Sequence, residues 1–274
     1  MGAASSAESI LRQAGELPDE AIDIAGVALA LAALDRPEVD LAPYRAHLSD
    51  LVRDVGDAMQ AGAGDRATML RAVLTERHGY TGDRETYNAI DNANLMRVID
   101  RRRGLPVALS ILWLHAARGQ GWPAHGLNFP GHFIIRVDDG TDRVIVDPFN
   151  GGAVLKPEDL RRILTAVVGR NAELQPAHCA TVGNRAVLLR LQNNIKLRLL
   201  QARRLQGALT VVERMILVAP REPGLWHEAG ALHRELGNLK TAISCLEHAM
   251  ALAGDDMTRH GVALELQELR ARLH

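Results

Sequence analysis

A histidine and an aspartate face each other across a predicted β-hairpin in the middle of the chain. Positions 139–140 are Asp-Gly, which favours a two-residue type I′ turn between two β-strands. Pairing outwards from that turn sets His132 opposite Asp147, with Cβ atoms about 4.5–5.5 Å apart. At this separation the imidazole and the carboxylate can form the hydrogen bond that orients a general base in nucleophilic catalysis. The hairpin thus supplies two of the three groups of a catalytic triad.

The third group, a nucleophile, has few candidates. The two cysteines, Cys179 and Cys245, lie far apart in sequence and favour free thiols in a reducing compartment. Ser110 follows Pro106, the predicted first residue of a helix, by four residues, so it lies on the same helix face about 6 Å deeper. One interpretation is a triad completed by Ser110. The other is a serine whose hydroxyl bonds a carbonyl of the preceding turn.

Helices and a small antiparallel sheet must position these residues, in the order of an α+β fold. Residues 18–79 carry apolar side chains at three- and four-residue spacings, which predicts helices. Between residues 80 and 170, proline and glycine breaks separate two further helices from three strands, of which the last two form the hairpin. The predicted helices are 21–34, one opening at Pro43, 66–77, 92–102 and 107–118, and the first strand is 122–127.

The composition limits the partners that the chain can have. It has 274 residues with a net charge of −1, so no global field favours nucleic acid or an anionic membrane. The arginine run at 101–103 is interpreted as a solvated helix end. No apolar run approaches the roughly 20 residues of a membrane span, and residues 1–6 lack the features of a signal peptide. These observations predict a cytoplasmic protein.

No metal or cofactor is expected. The spacing of His115, His125 and His132 matches no zinc pattern, and no cofactor-binding motif is present. The Asn-Gly-Gly sequence at 150–152 is interpreted as a tight turn, with an anion-binding nest as the alternative.

The C-terminal third contains a repeat. Trp226, Gly230, Ala242 and Ala249 match the bulky, glycine and alanine positions of the tetratricopeptide repeat. The preceding unit matches at Ala208, which is 34 residues before Ala242 and gives the tetratricopeptide period. Repeats bury their apolar faces by stacking, and Gly261–Leu273 is expected to cap the stack. Residues 186–274 are therefore predicted to dock a protein partner, with an ordinary helical bundle as the alternative.

The order of helix, strand, strand with histidine and strand with aspartate resembles the transglutaminase-like, papain-like fold. His132 and Asp147 match the histidine and aspartate of that family. The resemblance implies a nucleophilic cysteine at the start of the central helix, which falls here near Leu105 or Pro106. Neither is a cysteine, and a proline cannot donate a backbone N–H to an oxyanion hole.

The chain resembles more closely a bacterial subfamily that joins a transglutaminase-like domain to tetratricopeptide repeats and is named after an invasion regulator. That subfamily generally lacks the catalytic cysteine, so the resemblance implies fold more than activity. The expected domains are a helical region at 1–79, a transglutaminase-like domain at 80–175 and repeats at 186–274. The matching residues are Tyr87, 92–100, 102–106, 109–110, 129–133, 147–152, Leu191, 193–194 and Lys196.

Three hypotheses are compatible with these features. The favoured one is a non-catalytic protein-binding or regulatory module, with Phe129, Gly131, Asn150 and Trp226 as candidate binding residues. The alternative is a hydrolase or acyl transferase that uses Ser110 with the histidine–aspartate pair. A third hypothesis is a purely structural scaffold whose cleft is filled by its own side chains.

Overall fold

A computed structural model describes residues 3–62 and 64–271. Residues 1–2, which belong to the segment without signal-peptide features, lie outside the described residues. Residues 272–273, the end of the predicted cap of the repeats, lie outside them as well. The chain divides into two compact units, one of residues 1–7 and 18–191 and the other of residues 8–17 and 192–274. The predicted α+β fold class is confirmed. The division at 1–79, 80–175 and 186–274 stays a prediction.

Helices make up most of both units. The α-helices are α1 (Ala3–Glu16), α2 (Ile24–Ala33), α3 (Ala42–Gln60), α4 (Arg66–Leu70), α5 (Leu95–Arg101), α6 (Pro106–Gly119), α7 (Pro157–Val168), α8 (Asn184–Gln201), α9 (Leu205–Val218), α10 (Pro223–Glu235), α11 (Leu239–Leu252) and α12 (Asp256–Ala271).

Several helices differ from the predictions at their ends. The helix expected at 21–34 begins only at Ile24, because the Asp23 side chain accepts a hydrogen bond from the Gly26 amide and caps α2. The helix expected at 66–77 continues from α4 into a π-helix, Arg71–Arg77. In each case local hydrogen bonds of a side chain or of the backbone determine where the α-helix begins or ends. The spacing of apolar residues does not indicate these positions.

The helix α6 forms the core of the first unit. Pro106 is its first residue, where the missing N–H costs no helical hydrogen bond. All of its residues are buried except His115, Arg118 and Gly119 near its C-terminal end. The helix contacts the strands that carry the predicted hairpin, so its packing fixes where the sheet lies.

A five-stranded antiparallel sheet lies against α6. The strands are β1 (Thr81–Gly82), β2 (Arg103–Gly104), β3 (Ala124–Leu127), β4 (Ile135–Asp139), β5 (Asp142–Asp147), β6 (Ala153–Leu155) and β7 (Thr181–Val182). The spatial order in the sheet is β6–β5–β4–β3–β7, and a separate pair of short parallel strands, β1 and β2, lies near the start of α6. Leu160 and Leu164 of α7 pack with Ile134 and Ile145, so the sheet buries apolar side chains on the face that α7 covers.

The register of the hairpin is shifted by two residues from the prediction. Asp139 pairs with Asp142, so the two-residue loop is Gly140-Thr141 and not Asp139-Gly140. A shift of two preserves which side chains share a face, because the side-chain period of a strand is two. His132 lies before β4, in the loop that precedes it, and is a diagonal neighbour of Asp147 instead of its direct partner.

The second unit contains stacked helical hairpins. Ala208 in α9 and Ala242 in α11 are completely buried at the predicted 34-residue spacing. At Gly230 in α10 an added Cβ would lie 3.0 Å from a Leu246 carbon, so the small residue permits close helix packing. The core of α11 continues into α12 through Val262, Leu266 and Leu269, which supply the expected cap.

A buried polar cluster in the first unit joins α3 to the segment that precedes β1. His47 Nε2 lies 2.7 Å from the Tyr80 hydroxyl, and Arg102 donates to that hydroxyl. Arg101 donates to Asp83 at 2.6 Å. Arg101 and Arg102 therefore stabilise the segments that contain β1 and β2. For these two residues, the interpretation of the arginine run as a solvated helix end is wrong.

This cluster predicts a pH dependence of stability. Burial, Arg102 and His78 lower the pKa of His47 to about 4, against an ordinary value of 6.5. Between pH 4 and pH 6.5 the unfolded chain binds a proton at His47 that the folded protein does not. The contribution of neutral His47 to the free energy of unfolding is therefore complete above pH 6.5 and is lost as the pH falls towards 4. Wild-type protein should lose roughly 1–3 kcal/mol more stability from pH 7 to pH 4.5 than the His47→Gln variant.

Urea unfolding at the two pH values checks this expectation. His260→Gln, at an exposed histidine of α12, is the matched control and should keep the wild-type difference. Equal pH dependence in wild type and His47→Gln would contradict the interpretation.

Candidate functional site

The predicted histidine–aspartate pair forms a hydrogen bond. His132 Nε2 lies 2.8 Å from Asp147 Oδ2, and the Asp147 side chain is completely buried while 15% of the His132 side chain is exposed. The edge of the His132 ring also meets Phe149, with ring centroids 6.0 Å apart. Because Nε2 is engaged by the carboxylate, Nδ1 is the ring nitrogen left for an external group. The hydrogen bonds within the described ranges leave Nδ1 without a partner.

Asp147 holds together the turn that follows β5. Its Oδ1 accepts from the backbone amides of Phe149 and Asn150 at 3.1 and 3.2 Å, and its Oδ2 accepts from Asn150 Nδ2 at 2.5 Å. Gly151 and Gly152 follow with φ of +67° and +74°, and the Gly152 amide returns to the Asp147 carbonyl at 2.9 Å. The segment is the predicted tight turn, built around one buried carboxylate.

A shallow groove of about 420 Å³ lies beside this turn. Phe149 packs on Gly82 of β1, where an added Cβ would lie 2.5 Å from the ring. The Arg84 guanidinium lies over the Phe149 ring, 6.0 Å from its centroid, and donates to the Asn150 side chain. Arg103 lines the groove as well and pairs with Glu85 at 3.2 Å, so an aromatic ring, an amide, two guanidinium groups and one carboxylate converge here.

The candidate nucleophiles are all disfavoured by their surroundings. Ser110 is completely buried, and its hydroxyl has no hydrogen-bond partner, not even the predicted carbonyl of the preceding turn. Burial raises the pKa of the Cys179 thiol, which packs against the α7 core cluster of Leu127, Phe129, Ile134, Leu160 and Leu164. Burial also raises the pKa of Cys245, in the second unit. A raised pKa lowers the fraction of thiolate, the nucleophilic form.

The comparison with protein families identifies this architecture. The model of the transglutaminase-like superfamily matches residues 42–193, more than half of the chain. The chain belongs to the transglutaminase-like superfamily. A tetratricopeptide-repeat model matches residues 195–267, directly after this region. The predicted combination of the two is confirmed, while membership of the subfamily named after an invasion regulator stays a prediction.

Bacterial relatives of this transglutaminase-like protein share its length. A UPF0162 protein of Xylella fastidiosa is 28% identical over 271 residues, covering 93% of this chain and 94% of that protein. A UPF0162 protein of Pseudomonas aeruginosa is 31% identical, with coverage of 88% and 89%. The crystal structure of menin is similar over 97% of this chain and 74% of menin, with a TM-score of 0.41 and 11% identity.

Three of the sequence-predicted binding residues of the transglutaminase-like protein have packing roles. Phe129 is completely buried in the α7 core cluster and offers no surface to a ligand. Gly131 has φ of +66°, and an added Cβ would lie 2.1 Å from a Val167 carbon. Trp226 donates to the Pro220 carbonyl at 2.8 Å and stacks on His248. Asn150, by contrast, lies exposed in the groove.

No sequence pattern indicates that Arg84, Arg103 and Phe149 line one groove. Arg84 belongs to no motif, and the matched motif that contains Arg103 points to no groove, because β1 and β2 pair over only two residues and are separated by a helix. Phe149 lies within the matched motif at 147–152, so the prediction of Asp147 as a site residue is the sequence signal that could have found it. Within residues 3–62 and 64–271, no three histidine, cysteine or acidic side chains cluster as metal ligands would. Over the same ranges, none of the helices has the length and apolarity of a membrane span.

Removal of the Asp147 carboxylate should destabilise the transglutaminase-like domain. Asp147→Ala leaves the amides of Phe149 and Asn150 and the His132 ring without an acceptor, and breaking a buried set of this kind costs about 3–5 kcal/mol. Asp142→Ala, at the exposed start of the same strand, should change stability by less than about 0.5 kcal/mol. Chemical denaturation of the three proteins tests the difference, and a similar loss in both variants would disprove it.

Ser110→Ala should be neutral or stabilising by about 1 kcal/mol, because it removes a buried hydroxyl that has no partner. Thermal unfolding measures this. A clear loss of stability would mean that the hydroxyl is bonded in solution.

Proposed function

We propose that the chain is a non-catalytic binding or regulatory protein, whose groove beside the turn after Asp147 takes a peptide and whose tetratricopeptide repeats dock a protein partner. The observation that carries the proposal is the state of the nucleophiles. The one candidate serine is completely buried, and both thiols have pKa values raised by burial. An intact histidine–aspartate pair without an activated nucleophile orients a side chain but forms no covalent intermediate.

The start of α6 supports the same proposal. The resemblance implies a cysteine near Leu105 or Pro106, where a helix N-terminus would lower the pKa of a thiol. Leu105 is buried and Pro106 is the first residue of the helix. Neither side chain can attack a carbonyl, and Pro106 has no N–H to stabilise an oxyanion.

The groove has features of a peptide-binding surface. It combines the Phe149 ring, the Asn150 amide and two arginines, and these groups suit a peptide with an apolar and an acidic side chain. Tetratricopeptide stacks generally bind proteins, which makes the second unit the second proposed contact with partners. Both roles, and a location in the cytoplasm, belong to this proposal.

A turnover assay tests the absence of catalysis. Ammonia release from glutamine-containing casein and hydrolysis of p-nitrophenyl acetate should be the same for wild type and His132→Ala. Intact-mass analysis after treatment with a fluorophosphonate should show no adduct at Ser110. A His132-dependent turnover, or an adduct on folded protein, would favour the hydrolase or acyl transferase, the alternative that the unpartnered Nδ1 of His132 leaves open.

A cross-linking experiment tests the binding part. A photo-reactive residue that replaces Glu85, on the exposed edge of the groove, should capture a peptide with an apolar and an acidic side chain. Arg84→Ala should reduce the yield of this cross-link several-fold. The same residue placed at Asp142 is the control and should capture nothing specifically. Equal yields at both positions would contradict a peptide site in the groove.

A further inference from the structure

A second pocket in the first unit is separate, in the residues that line it, from the groove beside the turn after Asp147. It encloses about 400 Å³, within the range of pockets that hold small ligands. The C-terminal part of α6 supplies one side, through His115, Arg118 and Gly119, the three residues of that helix that are not buried. The residues preceding α2 and the start of α8 supply much of the rest.

The half-buried interior of this pocket carries a fixed cation. Arg118 donates through Nε to the Ala124 carbonyl at 3.0 Å and through Nη1 to Asn184 Oδ1 at 2.8 Å. These two bonds hold the guanidinium plane, and Nη2 makes no hydrogen bond to any described residue. Burial lowers the pKa of Arg118, but a guanidinium stays protonated at neutral pH. A rigid pair of N–H donors is therefore available to a carboxylate.

Two histidines in the pocket are neutral polar groups. Burial lowers the pKa of His115, and burial with the nearby Arg136 and Arg118 lowers that of His125. His115 Nε2 lies 3.3 Å from the Leu48 carbonyl, which can only accept, so Nε2 carries the proton and Nδ1 is an acceptor. The His125 ring makes no hydrogen bond to the described part of the chain. Both rings can thus bond a ligand without adding charge.

The mouth of the pocket is acidic. Glu20 and Asp23 are exposed, and Glu20 makes no ion pair within residues 3–62 and 64–271. Asp19 also lines the pocket, but its carboxylate is engaged by the backbone amides of Asn184 and Arg185 at 2.6 and 2.8 Å. The carboxylates of Glu20 and Asp23 therefore lie on the exposed side of the pocket, where Asp23 Oδ1 also accepts from the Gly26 amide at 3.0 Å, and the half-buried guanidinium lies further in. A simple anion would be repelled at the mouth, and a simple cation would meet Arg118 inside.

We propose that this pocket binds a small zwitterion of amino-acid or dipeptide size, with its carboxylate on Arg118 Nη2 and its ammonium group between Glu20 and Asp23. This ligand class satisfies both charges at once and leaves His115 and His125 to bond its remaining polar atoms. The inference does not depend on the proposed function of the groove beside the turn after Asp147.

Isothermal titration calorimetry with full-length protein tests the proposal. The probes are L-glutamine and L-alanyl-L-alanine at millimolar concentration, with the N-acetyl amide of each as the uncharged control. Binding of a zwitterion should be at least tenfold tighter than binding of its N-acetyl amide, because two charge-assisted hydrogen bonds are lost in the latter. Heat from neither zwitterion, or equal affinity for the N-acetyl amides, acetate or methylammonium, would overturn it.

Variants locate the binding. Glu20→Gln should weaken zwitterion binding about three- to tenfold without affecting the fold, because Glu20 has no structural contact to lose. Arg118→Gln should weaken it more, and circular dichroism establishes whether that variant is folded. Glu158→Gln, on the exposed surface of α7, is the matched control, and His132→Ala should bind as wild type does. Unchanged affinity in Glu20→Gln would refute the assignment even if Arg118→Gln fails to fold.

Discussion

One buried carboxylate organises the candidate site. Asp147 ends β5 and accepts hydrogen bonds from two backbone amides, one side-chain amide and one imidazole. A charge removed from water is tolerated only when such donors surround it. The position of His132, the turn that carries Phe149 and Asn150, and hence one wall of the groove all follow from satisfying this single group.

The same constraint explains why the site could be found from the sequence. The pair of His132 and Asp147 was predicted correctly although the predicted register was wrong by two residues. Register errors of two preserve side-chain faces, and the carboxylate reaches a diagonal neighbour almost as easily as a direct one. Apolar spacing and the 34-residue period likewise sufficed for the helices and the repeats.

Other parts of the molecule depend on contacts that leave no local pattern. The two-residue pairing of β1 with β2 joins segments on either side of α5, and Arg84 is brought to the groove by that pairing. The helix α7 covers a sheet face whose residues, Ile134 and Ile145, look the same in sequence whether a helix covers them or not. The burial of Ser110 and Phe129 follows from packing on all sides, which spacing alone cannot report.

The short β1–β2 ladder gives the groove two walls of unequal rigidity. The wall built on Asp147 is fixed by a dense set of hydrogen bonds, whereas the opposite wall has two residue pairs and depends on the side chains of Tyr80, Arg102 and His47 behind it. Two-stranded elements of this size are marginal by themselves and open locally more readily than a core strand. Local opening of the β1–β2 pair therefore governs the width of the groove. A ligand bound against Phe149 would slow amide hydrogen exchange in β1 and β2 before it did so in the turn after Asp147.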